Sequence, residues 1–138
     1  MTKPRRDALA LIAYLEEREA WTFGHAKAAR THDCARWAAG AVEAQTGRNP
    51  LRRFAGRWGT TAGARRVIRR HGGMARAVTE VLTPVALASA KRGDIGLVGA
   101  DFDGQLVVVE GDLVVGLAPG GGYLRLPRSA LTRAWSAD

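Results

Sequence analysis

The sequence predicts an α+β fold in which N-terminal helices pack on a small C-terminal antiparallel sheet. Three observations carry that prediction. Up to about residue 83, apolar residues recur at three- and four-residue spacing between capping residues. From about residue 93 they form short runs separated by glycine and aspartate turns. The length, 138 residues with 46% hydrophobic and 25% charged, suits a single globular domain spanning 1–138.

The elements follow in order. Asp7 can cap a first helix running to about Ala20, with Ala8, Leu11, Ile12 and Leu15 as its apolar stripe. Trp21 and Phe23 lead into Gly24 and a small, basic connection over 25–30. A second helix begins near Cys34, where Thr31 or Asp33 can accept its free amide hydrogens. Trp37, Ala38, Ala41 and Val42 form its buried face, and Gly47, Asn49 and Pro50 end it. Thr60 or Thr61 can cap a third helix over 62–70, with Ala64, Val67 and Ile68 inward and Gly72-Gly73 closing it; a short fourth covers about 74–82. After Lys91-Arg92-Gly93-Asp94 the period changes. Residues 95–98, 105–109, 113–117 and 123–126 read as strands, with Glu110-Gly111-Asp112 a tight hairpin connection and Gly120-Gly121-Gly122 a loop. Ser129 can cap a final helical turn before Trp135.

Charge narrows the partners. Lys and Arg number 21 against 13 Asp and Glu, a net charge of +8, and residues 48–79 hold nine arginines with no acidic residue among them. Such a block suits an acidic protein surface or a phosphate backbone. Arg65-Arg66 and Arg69-Arg70 recur four apart and so share one exposed helix face. With Arg57 and Trp58, the latter the tryptophan expected to be most exposed, they form the candidate interface. No apolar run approaches the roughly 18 residues of a membrane span, and the positive start Met1–Arg6 lacks a small-residue cleavage site, so neither a span nor a signal peptide is expected.

One cysteine cannot close an internal disulfide, and one cysteine with three scattered histidines gives no metal-ligand spacing; no metal or cofactor is expected. Cys34 has two readings. At a helix start, free amides and the helix dipole lower a thiol pKa and make a nucleophile; a lone cysteine also serves as a small buried apolar residue.

The motifs Trp21-Thr22-Phe23, His32-Asp33-Cys34-Ala35, Trp37-Ala38-Ala39, Gly56-Arg57-Trp58, Gly72-Gly73, Gly93-Asp94 and Ala134-Trp135 run through nearly the whole chain. Together they resemble the NlpC-like branch of papain-like cysteine peptidases, which cut cell-wall peptides. They resemble more closely a family of small phage and prophage proteins, often encoded among tail genes, that are distant NlpC-like relatives. In the enzymatic relatives the helix-start cysteine attacks the peptide carbonyl, and a histidine opening a strand soon after the Gly-Asp strand moves the proton. The resemblance puts that histidine at or beside Gln105, whose amide does not titrate near neutral pH, and no histidine follows His71. His32, two residues before the cysteine, is the other candidate base.

The resemblance therefore implies a tail component at the distal end, docked on other tip or hub proteins, with a degenerate peptidase site at Cys34. It would be made in the bacterial host cytoplasm and carried in the virion. Two alternatives stand beside it: an active cell-wall peptide hydrolase using Cys34 with His32 or a neighbour's residue, and a basic nucleic-acid-binding module.

Overall fold

The computed structural model describes residues 6–26, 28–54, 56–102 and 104–138; the positive start Met1–Arg5 lies outside them. Asp7 opens helix α1 (Ala8–Arg18), its side chain accepting from the Ala10 amide. The inward residues are Leu11, Tyr14 and Leu15, whereas Ile12 is 44% exposed. The stripe is rotated from the sequence expectation because Tyr14 turns in, its hydroxyl donating to the Trp37 carbonyl at 2.6 Å. Gly40 permits that crossing, since a Cβ there would fall on the Tyr14 hydroxyl.

The connection after α1 holds two short parallel strands that the sequence did not signal, β1 (Thr22–Phe23) and β2 (Thr31–His32). Thr31 is thus a strand residue, and Asp33 alone caps α2 (Cys34–Thr46), which ends at Gly47 in the left-handed region with φ 81°. A turn of 3-10 helix (Arg52–Phe54) leads to α3 (Thr61–Arg70), capped by Thr60, and then to α4 (Met74–Thr79).

The sheet has six antiparallel strands rather than four. They are β3 (Thr83–Pro84), β4 (Ile95–Val98), β5 (Gln105–Val109), β6 (Leu113–Leu117), β7 (Tyr123–Pro127) and β8 (Leu131–Ser136), in the order β3-β8-β4-β5-β6-β7. The expected final helical turn is the 3-10 turn Arg128–Ala130, with Ser129 inside it rather than capping it, and it leads into strand β8, which the sequence did not signal. That strand carries a bulge. Leu97 pairs with Arg133 but Val98 with Leu131, so Thr132 is an extra residue whose hydroxyl donates to the Leu97 carbonyl. The bulge puts Leu131 and Ala134 on one face and Trp135 on the other.

Both faces of the sheet are covered, which is why β5 reads as a continuous apolar run. On one face Leu106, Val108, Val115 and Trp135 meet Leu11, Trp37 and Met74; on the other Val107, Val109 and Val114 meet Leu131 and Ala90. Asp94, 1% exposed, ties the ends of the chain together. It accepts from Arg6 Nη2 at 2.5 Å and from the amides of Lys91 and Ala137. Gly93 before it takes φ 90° against the side chain of Gln45 from α2, so glycine is required there. Among the described residues, no helix is long and apolar enough to cross a membrane.

Candidate active site

Asp33 organises the start of α2. Its Oδ1 accepts from the Arg36 amide at 2.8 Å. Its Oδ2 accepts from Trp58 Nε1 at 2.6 Å, His25 Nδ1 at 3.0 Å and Arg36 Nη1 at 3.1 Å. A carboxylate can only accept, so the His25 proton sits on Nδ1. Arg36 closes the cluster by donating to the carbonyls of His25 and Trp58 and lying 4.6 Å from the Trp58 ring centroid. Three separate segments are thereby pinned around one carboxylate that is 1% exposed.

Cys34 is the first residue of α2, half-buried against β5. The dipole argument foresaw a lowered pKa; instead the thiol is pushed up to about 11. Burial is the largest cause and the Asp33 charge adds to it, outweighing backbone hydrogen bonds from Leu106, Cys34 and Ala35 that favour the thiolate. Helix-start amides do face the sulfur, but a carboxylate sits beside it and solvent does not reach it freely.

Gln105 opens β5 and lines the same cavity as Cys34, one residue before the Leu106 backbone that meets the sulfur. Its Nε2 donates to the Leu117 carbonyl at 2.7 Å, so the amide is committed to the neighbouring strand. His32 lies elsewhere. It is 2% exposed, stacks 5.3 Å from Trp21, and does not line the cavity that holds Cys34. Burial and the nearby Arg18 charge lower its pKa to about 4, and its Nδ1 has no partner. His25 does line that cavity, with Nδ1 held by Asp33. Sequence reasoning passed over it, because an offset of eight positions between His25 and Asp33 matches no motif; the parallel β1–β2 pair folds that stretch back. His71 pairs with Glu80 at 2.6 Å, away from the thiol's network.

The cavity beside Cys34 measures about 770 Å³. Its walls come from α2, α3, α4 and the sheet, and most of them are aliphatic. Trp58 is half-buried there rather than the exposed anchor the sequence suggested, because its indole N–H is bound to Asp33. Arg57, Arg65, Arg66, Arg69 and Arg70 are exposed, and among the described residues none forms an ion pair with a carboxylate. No group of three His, Cys, Asp or Glu side chains among the described residues stands close enough to hold a metal ion.

No curated protein matches the chain. Among solved structures, the NlpC/p60 domain of the peptidoglycan hydrolase SagA superposes with a TM-score of 0.57 at 17% sequence identity, covering 94% of this chain and 98% of that one. At that identity the likeness shows the fold alone: helices on an antiparallel sheet in the NlpC/p60 arrangement. The family model described as "Domain of unknown function (DUF6950)" matches residues 5–137, and the chain belongs to that family.

Proposed function

We propose that this chain is a non-hydrolytic NlpC-like component of a phage tail, seated at the distal end among tip or hub proteins. It is made in the host cytoplasm and works in the virion. One observation supports a loss of chemistry: the strand start that shares the cavity with the thiol holds Gln105, an amide that is no base and whose Nε2 is bound to the Leu117 carbonyl. Burial holds the thiol above its ordinary range, so it stays protonated at neutral pH and needs a base to act as a nucleophile. The tail assignment draws on the motif resemblance, and the exposed arginines supply a surface for acidic neighbours.

The test uses the purified chain with cell-wall peptides and, separately, tail particles. No peptide release above background is expected, and Cys34→Ala is expected to leave incorporation into particles intact. Robust hydrolysis that Cys34→Ala removes would overturn the non-hydrolytic reading; absence of the chain from particles would overturn the tail reading.

A second reading, a cell-wall peptide hydrolase on Cys34, draws on the His25–Asp33 pair, which shares the cavity with the thiol and resembles an oriented base. Hydrolysis lost in both Cys34→Ala and His25→Ala would establish it.

A further inference from the structure

We propose that the cavity between α3 and the α2–β5 face is a docking groove for an acidic, amphipathic peptide segment of a partner protein. Its apolar side chains enter the groove and its carboxylates meet the arginines of α3. The inference deepens the tail-component reading by naming the surface and the chemistry of what it binds.

Four observations converge. The space is about 770 Å³, within the roughly 300–1,000 Å³ of ligand-binding clefts. Its wall on the α3 side is unfinished: Ala64, Val67 and Ile68 face it, yet no residue of α3 is buried. Three of the large apolar side chains left exposed on the molecule, Phe23 at 36%, Phe102 at 51% and Leu124 at 50%, line this same cavity. Exposed apolar residues scattered singly need no explanation, but several that line one apolar cleft mark a contact surface. Finally, Arg65 lines the groove and Arg66, Arg69 and Arg70 are exposed on the same helix, all without a carboxylate partner among the described residues.

Charge and shape together select the occupant. A fatty acid brings one carboxylate, whereas these guanidinium groups spread over more than one helical turn, about 7 Å along the axis. A nucleic acid supplies the negative charges but no aliphatic groups to fill the groove. A peptide with apolar residues flanked by Asp or Glu supplies both, and bidentate carboxylate contacts suit arginine.

The probe is a fluorescent 15-residue peptide of Leu, Phe, Glu and Ala in amphipathic order, read by anisotropy against the full chain. Controls are the same peptide with Lys for Glu, the same with Ala for Leu and Phe, a DNA duplex, and vesicles of anionic phospholipid. Saturable binding of the first peptide alone is expected, weakened about tenfold or more by Arg65→Glu with Arg69→Glu. Ala64→Trp, which fills the groove, is expected to weaken it similarly, with the surface pair as the safeguard should that variant not fold. Equal binding of the Ala-substituted peptide would reduce the site to a polyanion surface and sink the groove. Binding confined to DNA or to vesicles, no binding at all, or insensitivity to the arginine reversals would each overturn the proposal. Incorporation into tail particles is scored in parallel: a chain that enters particles but binds no peptide loses this inference and keeps the tail reading.

Discussion

Val107, Val108, Val109, Val114 and Val115 are each 1% exposed or less, whereas α3, ten residues long, buries none of its side chains. The two regions obey different demands. In the sheet both faces are packed, by α1, α2 and α4 on one side and by the Ala90–Leu131 cluster on the other. In α3 one face looks onto a cavity, with Arg65 at its edge, and the exposed side carries Arg66, Arg69 and Arg70; none of the four pairs with a carboxylate among the described residues. Stability therefore resides in the sheet and the helices packed on it, while α3 is free to present chemistry outward. Cys34 sits on the seam, anchored to the packed side through the Leu106 backbone and open to the loose side through the cavity.

A matched pair of isoleucines breaks or upholds that division most directly. Ile95 in β4 is 1% exposed, and Ile95→Ala is expected to cost about 2–5 kcal/mol in urea unfolding. Ile68 in α3 is half-buried on the cavity wall, where truncation leaves little new void, and Ile68→Ala is expected to cost about 1 kcal/mol. Equal losses would mean that α3 is as integral to the core as the sheet.

His32 gives the next effect, on the packed side. Its folded pKa of about 4 lies below the ordinary value of 6.5, so between those values the unfolded chain holds a proton that the folded chain does not. Stability is then full above pH 6.5 and falls as pH drops toward 4, by on the order of 3 kcal/mol. Unfolding measured across that range should flatten in His32→Phe, which keeps a ring against Trp21 but cannot titrate. A slope identical in both proteins would remove the burial argument for His32.

What was legible in the sequence follows the same division. Strands β4, β5 and β6 and the caps Asp7, Asp33 and Thr60 were readable because turn glycines and side-chain acceptors act locally. The expectation that Gln105 stands near Cys34 came from the family resemblance rather than from any local signal, and both residues line one cavity. What sequence missed is long-range. The bulge at Thr132 breaks the alternation that would have marked β8 as a strand, and β1 and β2 are too short for any period. The pKa of Cys34 depends on burial that no local signal reports, and the turning of Tyr14 rather than Ile12 into the core depends on the glycine of a different helix.

The smallest expected effect concerns the arginines themselves. Arg65 and Arg69, and likewise Arg66 and Arg70, stand four residues apart on α3, with side chains that lie roughly 5–6 Å from each other at Cβ. Like charges so placed destabilise a helix by about 0.2–0.5 kcal/mol per pair, and added salt relieves them because the Debye length at 0.1 M is about 10 Å. Arg66→Glu replaces one repulsive pair with a Glu-to-Arg pair in the favourable order, at no cost in helix propensity. It is expected to raise stability by about 0.5 kcal/mol at low salt, and the gain should shrink at 1 M salt. Neither strand register nor the sheet core is touched, so the sheet's own unfolding parameters should stay as they are. A loss of stability instead would reveal that Arg66 holds a contact within the fold, and the exposed arginine face would then belong to the architecture rather than to a partner. A gain confines its purpose to what approaches from outside, since a helix that is more stable without an arginine does not keep that arginine for folding.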